Sequence, residues 1–168
     1  MRLLKLDAVQ DTVEAFARRG AAPSDDPNDF RQLISGLLTK KGLNPAQIYR
    51  PDAGLWVIPA QPAPVVLRLL REGNEAEPVD TIETMMRLAP LPAKNLLAFY
   101  RYLLESNQKM NNAAFCLSGD SVFLRAGRRL EGLDESELDD MISSLVEAAE
   151  DYFAPLLEQF AFGASILR

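Results

Sequence analysis

The sequence predicts an α+β protein in which helices cover one face of a twisted antiparallel sheet. Residues 131–160 carry apolar side chains at helical spacing, with acidic residues on the opposite side. The central Gly119-Asp120 between two alternating apolar runs is a signal for a two-residue hairpin. The full order of patterns is helix, helix, four strands, helix, hairpin, helix. This order favours an antiparallel sheet with its helices on one side.

Four segments have the apolar period of a helix: residues 3–19, 28–41, 93–110 and 131–160. In the last of them Asp134 is placed to cap the first turn, and Glu137 three residues on completes a capping box. Pro155 is expected to interrupt this helix. The third helix is predicted to have one apolar face, made by Leu96, Leu97, Tyr100, Leu103 and Leu104.

The segment between the first two helices is short, polar and rich in turn formers. Its sequence is AAPSDDP, residues 21–27. We therefore predict an N-terminal helix and linker over residues 1–27, followed by the α+β domain over residues 28–168. The alternative is a simple loop between two helices that pack on each other.

The strand patterns lie between the second and third helices and after the third. Residues 47–50 and 55–59 flank the turn PDAG and predict a first hairpin. Residues 65–70 and 79–88 fit either a strand or a helix, and we favour strands, in the second case because the segment is rich in β-branched side chains. A charged loop is predicted between them at residues 72–77. Arg68 indicates that Val66 and Leu70 share the wetter face of their strand. Residues 114–117 and 122–126 predict the second hairpin.

The composition excludes several classes of function. A net charge of −6 and a pI near 4.8 argue against a broad nucleic-acid surface. The chain has no histidine, the commonest general base and metal ligand, and only one cysteine. No signal peptide and no span of about 18 apolar residues is recognised, so we expect a cytoplasmic protein. We expect no cofactor and no metal ion.

Three features that carry chemistry in other proteins have a simpler interpretation here. Cys116 lies mid-strand among apolar residues, and we predict a core cysteine. The acidic run that starts at Asp134 lacks the spacing of a calcium loop and is predicted to be the solvated face of a capped helix. The arginines of RAGRR, residues 125–129, fit either a phosphate site or an ion-pairing surface, and we favour the surface. No nucleophile–base pair is recognised, so we predict a protein that is not an enzyme.

Three segments carry a family resemblance. They are the LLESN end of the third helix at residues 103–107, the F-x-L-x-x-D hairpin at residues 115–120 and the LEGLDESEL start of the last helix at residues 130–138. These motifs resemble the YbjN-type domain family. They are also similar to the class I, CesT-like type III secretion chaperones. The resemblance implies a small acidic domain that dimerises and binds a segment of a protein partner.

From this we predict a non-enzymatic, chaperone-like or regulatory protein-binding domain that acts as a homodimer. The alternative is a small-ligand-binding regulatory domain with a cavity between sheet and helices. Exposed sheet surfaces and amphipathic helices are where partner segments dock. The predicted partner-binding residues are four on the sheet and four on the terminal helix: Trp56, Ile58, Val66, Leu70, Tyr152, Phe153, Leu156 and Phe160.

Overall fold

The computed structural model describes Asp11, Thr12, Glu14 and residues 22–23, 28–74 and 77–160. The predicted helix at residues 3–19 lies outside the described residues except for Asp11, Thr12 and Glu14, which are helical. The described elements confirm the α+β class. In chain order they are β1 Ala22–Pro23, α1 Asn28–Lys40, α2 Pro45–Ile48, β2 Tyr49–Arg50, β3 Leu55–Ile58, β4 Val65–Asn74, β5 Glu77–Pro90, α3 Leu96–Asn107, β6 Ala114–Ser118, β7 Ser121–Arg129 and α4 Glu135–Gln159.

The strands form one antiparallel sheet in the order β2-β3-β4-β5-β7-β6. Strand β1 pairs with Leu70 and Arg71, on the part of β4 that extends beyond β3. The charged loop predicted at residues 72–77 is wrong, because β4 and β5 continue until Asn74 pairs with Glu77. Arg71 lies opposite Asp80 and forms an ion pair of 3.0 Å with it, so charge supports this hairpin.

The first hairpin is shorter than predicted. Residues 45–48 form the helix α2, so the strand predicted from Gln47 begins only at Tyr49. The reason is local: Pro45 occupies the first helical turn, and the Asn44 side chain accepts the N–H of Ala46 at 3.1 Å. These two cues favour a helical turn over a strand.

The last helix begins as predicted. Asp134 Oδ1 accepts the N–H of Glu137 at 2.8 Å, and Glu137 Oε2 accepts the N–H of Asp134 at 3.1 Å. This is the complete capping box. The interruption predicted at Pro155 is wrong, since α4 continues to Gln159. Buried Leu156 and Phe160 hold the last turn on the core and outweigh the hydrogen bond that proline removes.

The sheet divides the buried side chains into two clusters. The main core lies between the sheet and the helices α1, α3 and α4. The opposite face of the sheet carries a second cluster: Leu55, Val66, Leu70, Met85 and Phe123. We call this face, which none of the helices α1 to α4 covers, the second face.

Candidate functional site

Exposed leucines concentrate on α3 and on the edge strand β6. Among the described residues, the exposed large hydrophobic side chains are Leu96, Leu97, Leu104 and Leu117. Leu97 is 86% exposed and Leu104 67%, and their seven-residue spacing places both on one side of α3. Leu117 alternates with Cys116 and points to the sheet face on which α3 packs. We call these four residues the leucine surface.

Contacts on the opposite side of α3 fix the orientation of this surface. Phe99 is fully buried, and its ring lies edge-on to that of Phe160, with the centroids 5.0 Å apart. Tyr102 makes a second edge-on contact with Phe160 at 5.6 Å. Leu103 completes the buried side. With this side held on the core, Leu97 and Leu104 are directed outwards.

The end of α3 is tied to the edge strand by one side chain. Asn107 Oδ1 accepts the N–H of Phe115 at 2.7 Å, and Asn107 Nδ2 donates to the carbonyl of Phe115 at 3.2 Å. Those two backbone groups therefore point to the outer edge of β6. Because strand geometry repeats every two residues, the N–H and C=O of Leu117 point to the same outer edge. The leucine surface thus adjoins a sheet edge.

The apolar face predicted for α3 is buried only in part. Leu103 is buried, whereas Leu96, Leu97 and Leu104 are exposed. The signal in the sequence is the width of the pattern: residues 96–104 are apolar or aromatic on nearly every side of the helix. A helix that is apolar all round meets more than one surface, and the prediction assigned it only one.

The second face combines apolar and charged residues. Its five cluster members are each at most 1% exposed, and Ala53, Val57 and Cys116 pack against them half-buried. The wetter face predicted for Val66 and Leu70 is therefore wrong, since both are 0% exposed. Burial also lowers the pKa of the neighbouring Arg68 guanidinium from its ordinary value. The second face is an apolar surface with cationic neighbours.

A buried carboxylate lies among these residues. Glu83 is 2% exposed, and Arg125 donates to its Oε1 from Nε at 2.9 Å and from a terminal nitrogen. Arg68 lies directly opposite Glu83 on β4, and Gly127 lies opposite it on β7. A Cβ at Gly127 would approach Glu83 Cγ to 3.1 Å. Glycine at this position therefore gives the carboxylate room to lie flat on the sheet, where an arginine compensates its charge.

The eight predicted partner-binding residues do not form one surface. Six lie in or against the main core: Trp56, Ile58, Tyr152, Phe153, Leu156 and Phe160. Of these, only Tyr152 and Phe153 are half-buried, and Tyr152 contacts Phe115 edge-on at 5.8 Å. Val66 and Leu70 lie on the second face. Their role in binding a partner stays a prediction.

The charged motifs are engaged in ion pairs. The acidic start of α4 forms ion pairs with cations at the end of α1, just after it and on β7: Lys40 with Glu135 at 2.6 Å, Lys41 with Asp139, and Arg128 with Glu137 at 2.5 Å. In the described part of the chain no three ligating side chains are grouped as a metal site would need. None of its helices is long and apolar enough to cross a membrane.

A polar cleft of about 570 Å³ lies where β6, β7 and the start of α4 meet. Its charged and amide side chains are Asn111, Asn112, Arg125, Arg128, Glu137 and Asp140. Half-buried Cys116 also lines it. The cleft is open and lies at the end of the sheet, whereas the cavity expected from the sequence would lie between sheet and helices.

Comparison with known proteins identifies the family of this fold. Residues 74–162, just over half of the chain, match the model of the CesT_Tir_1 family. The YbjN-type resemblance stays a prediction. No curated protein matches the chain.

Two solved structures are similar to this fold. One is the heterodimeric complex ExoU–SpcU from the type III secretion system of Pseudomonas aeruginosa. The chain matched there has 21% identity and a TM-score of 0.54, with 75% of this chain and 98% of that chain covered. The other is the Yersinia pestis type III secretion chaperone SycH in complex with a stable fragment of YscM2, with 17% identity, a TM-score of 0.49 and coverages of 73% and 98%.

Proposed function

The chain belongs to the CesT_Tir_1 family of type III secretion chaperones, and we propose that it is a non-enzymatic chaperone that binds a protein partner as a homodimer. The similar structure from Pseudomonas aeruginosa is a heterodimeric complex, which supports a protein partner. The observation that carries the proposal is the leucine surface. Large apolar side chains that are exposed together on one helix and on the strand beside it indicate a protein interaction site.

We assign the leucine surface to a second copy of the chain. Leu97 and Leu104 lie on one side of a single helix, so two antiparallel copies of α3 meet by the same residues on both subunits, as a two-fold interface requires. No charged residue separates Leu97 from Leu104 along that side except Arg101, which is held by Glu105 at 2.7 Å. The adjoining β6 edge adds area to the interface.

Sedimentation equilibrium tests the homodimer. The wild-type chain is expected to be a dimer. The double variant Leu97→Glu with Leu104→Glu is expected to be a monomer that keeps the wild-type circular dichroism spectrum, because both side chains are exposed in the subunit. Ala98→Glu is the matched control, since Ala98 is exposed on the same helix but turned away from the leucines. A monomeric wild type, or a dimer that survives both glutamates, would contradict this assignment.

The partner protein is assigned to the second face, where predicted residues Val66 and Leu70 lie. Affinity purification from the native cells, followed by mass spectrometry, is expected to yield one stoichiometric partner. With that partner purified, Val57→Lys at the half-buried rim of the second face should weaken binding about tenfold or more. Val146→Lys, at a half-buried position on α4, should not. Equal losses in both variants would remove the second face as the binding site.

The polar cleft favours a second candidate, a small-ligand-binding regulatory domain. Its volume of about 570 Å³ lies within the range of ligand pockets. Its amide and charged side chains suit a polar ligand better than an apolar one. A thermal-shift screen with metabolites and nucleotides tests this alternative, and stabilisation that Asn112→Ala abolishes would support it.

A further inference from the structure

The second face is buried although the helices α1, α3 and α4 all lie on the other side of the sheet. Val66 and Leu70 are 0% exposed, and Met85 and Phe123 are 1% exposed. Sheet faces that pack on nothing leave such side chains accessible to water. Some part of this chain therefore covers them.

A contact of the second face shows that a residue preceding α1 reaches it. Asp11 Oδ2 forms an ion pair of 2.6 Å with Nε of Arg87. Arg87 lies directly opposite Phe123 in the register of β5 and β7, so its side chain is on the second face. Thr12, the next residue, is 1% exposed. Asp11 is thus bound at the second face, and Thr12 beside it is buried.

The same part of the chain also pairs with the edge of the sheet. Ala22 and Pro23 lie opposite Arg71 and Leu70 of β4, where β3 has ended. An added strand at a sheet edge is a recurring way in which proteins capture a peptide from a partner. Here the chain supplies that strand itself. Leu70 belongs to the second cluster, so both contacts converge on one surface.

We propose that Asp11, Thr12, Ala22 and Pro23 together form a built-in, exchangeable occupant of the second face, and that an apolar partner segment carrying a carboxylate displaces it. The displaced contacts define the chemistry of that segment: a carboxylate for Arg87, apolar side chains for the second cluster and a short extended backbone for the β4 edge. The partner step rests on the proposed function, whereas the occupancy of the second face does not.

Two contacts of the occupant are weak enough for a partner segment to replace them. The ion pair is partly exposed, with side-chain exposures of 21% for Arg87 and 37% for Asp11, and such pairs are weak. Strand β1 contributes only two residues to the pairing. Partly exposed ion pairs and strand pairings of two residues can open locally without global unfolding.

Hydrogen exchange on the 168-residue chain tests the occupancy. Asp11→Lys places two cations together, and we expect amide exchange in β4 and β5 to accelerate about 2- to 10-fold while α4 is unchanged. Arg87→Glu in the same chain should restore the wild-type rates. Asp151→Lys, the same charge change at an exposed position on α4, is the control. The proposal would be overturned if amide exchange in β4 and β5 were no faster in Asp11→Lys than in the control. It would also be overturned if exchange in α4 rose equally.

A disulfide between the occupant and the sheet gives an independent test. Ala22 and Arg71 are direct antiparallel partners, a separation that a disulfide spans. In the Cys116→Ser chain, Ala22→Cys with Arg71→Cys should form this bond. In the Asp11→Lys background, oxidation should then suppress binding of the apolar dye 1-anilinonaphthalene-8-sulfonate, and reduction should restore it. Dye binding that is the same in both redox states would overturn the proposal.

The partner identified by affinity purification separates the two hypotheses. The oxidised disulfide variant should lose this partner and regain it on reduction. If wild-type protein captures no partner but Asp11→Lys still accelerates exchange in β4 and β5, the proposed function fails and the occupancy stands. If the partner binds the oxidised form as tightly as the reduced form, the displacement step is wrong.

Discussion

Asn107 satisfies both backbone groups of Phe115, accepting its N–H at 2.7 Å and donating to its carbonyl at 3.2 Å. One side chain at the last residue of α3 therefore sets the position of the edge strand β6 relative to the helix that carries the leucine surface. The LLESN sequence at residues 103–107 ends in this asparagine. Among uncharged side chains, only the amides of asparagine and glutamine offer a donor and an acceptor side by side, as the N–H and C=O of one residue require.

Replacing Asn107 should loosen this connection. Asn107→Ala leaves two half-buried backbone groups without their partner, and we expect a loss of about 2 kcal/mol in the free energy of unfolding. Urea denaturation measures it. Asn112→Ala, an exposed asparagine in the connection to β6, is the control and should cost much less. A loss no larger than that of the control would mean that water replaces the amide.

Two glycines should respond to alanine with opposite signs. A Cβ at Gly127 meets Glu83 Cγ at 3.1 Å and the carbonyl oxygen of Ile82 at 3.2 Å, so Gly127→Ala should destabilise the chain by about 1–2 kcal/mol. Gly36 lies inside α1 with no atom within 4 Å of its added Cβ. Gly36→Ala should therefore stabilise by about 0.5–1 kcal/mol. Urea midpoints that move in the same direction would contradict the packing assigned to Gly127.

The sequence predicted what local rules determine. The capping box of Asp134 and Glu137 and the Gly119-Asp120 turn depend on neighbouring residues alone, and both are present. What it missed depends on contacts between distant residues. Strands β4 and β5 extend through charged residues because Arg71 meets Asp80 across the hairpin.

The candidate surfaces were harder to predict for the same reason. Phe160, which is distant in sequence, packs on Phe99 and so determines which side of α3 is buried and which is exposed. Similarly, the position of Arg68 predicted that Val66 and Leu70 lie on a solvated face, but contacts within the second cluster bury both of them. Neither outcome is encoded in the spacing of apolar residues within one element.

Glu137 should make stability depend on pH in the acid range. The Arg128 guanidinium, and then the N–H of Asp134, lower the pKa of this carboxyl from its usual 4.5. A group with a lowered folded-state pKa stabilises the fold above its unfolded pKa and loses that contribution as pH falls through the folded value. The difference in melting temperature between wild type and Glu137→Gln should therefore be present at pH 7 and shrink below about pH 4.5.

Melting curves from pH 7 to pH 3 measure this difference. Glu147→Gln removes a carboxylate from the exposed side of the same helix and serves as the control. A Glu137→Gln difference that is independent of pH would show that the Arg128 ion pair adds nothing to the fold.

The terminal helix offers a test of whether its large residues bind a partner or hold the core. Leu156 is 0% exposed and Phe160 is 4% exposed, so Leu156→Asp and Phe160→Asp each place a carboxylate where no water solvates it. We expect each to reduce the free energy of unfolding by about 3–5 kcal/mol, a large part of the stability of an ordinary domain. The neighbouring Leu157 is half-buried, and Leu157→Asp should cost less. Circular dichroism and partner capture are measured on the same variants. If Leu156→Asp and Phe160→Asp stay folded and release the partner, these two residues form an interface. If both variants unfold, the two residues are not partner-binding residues.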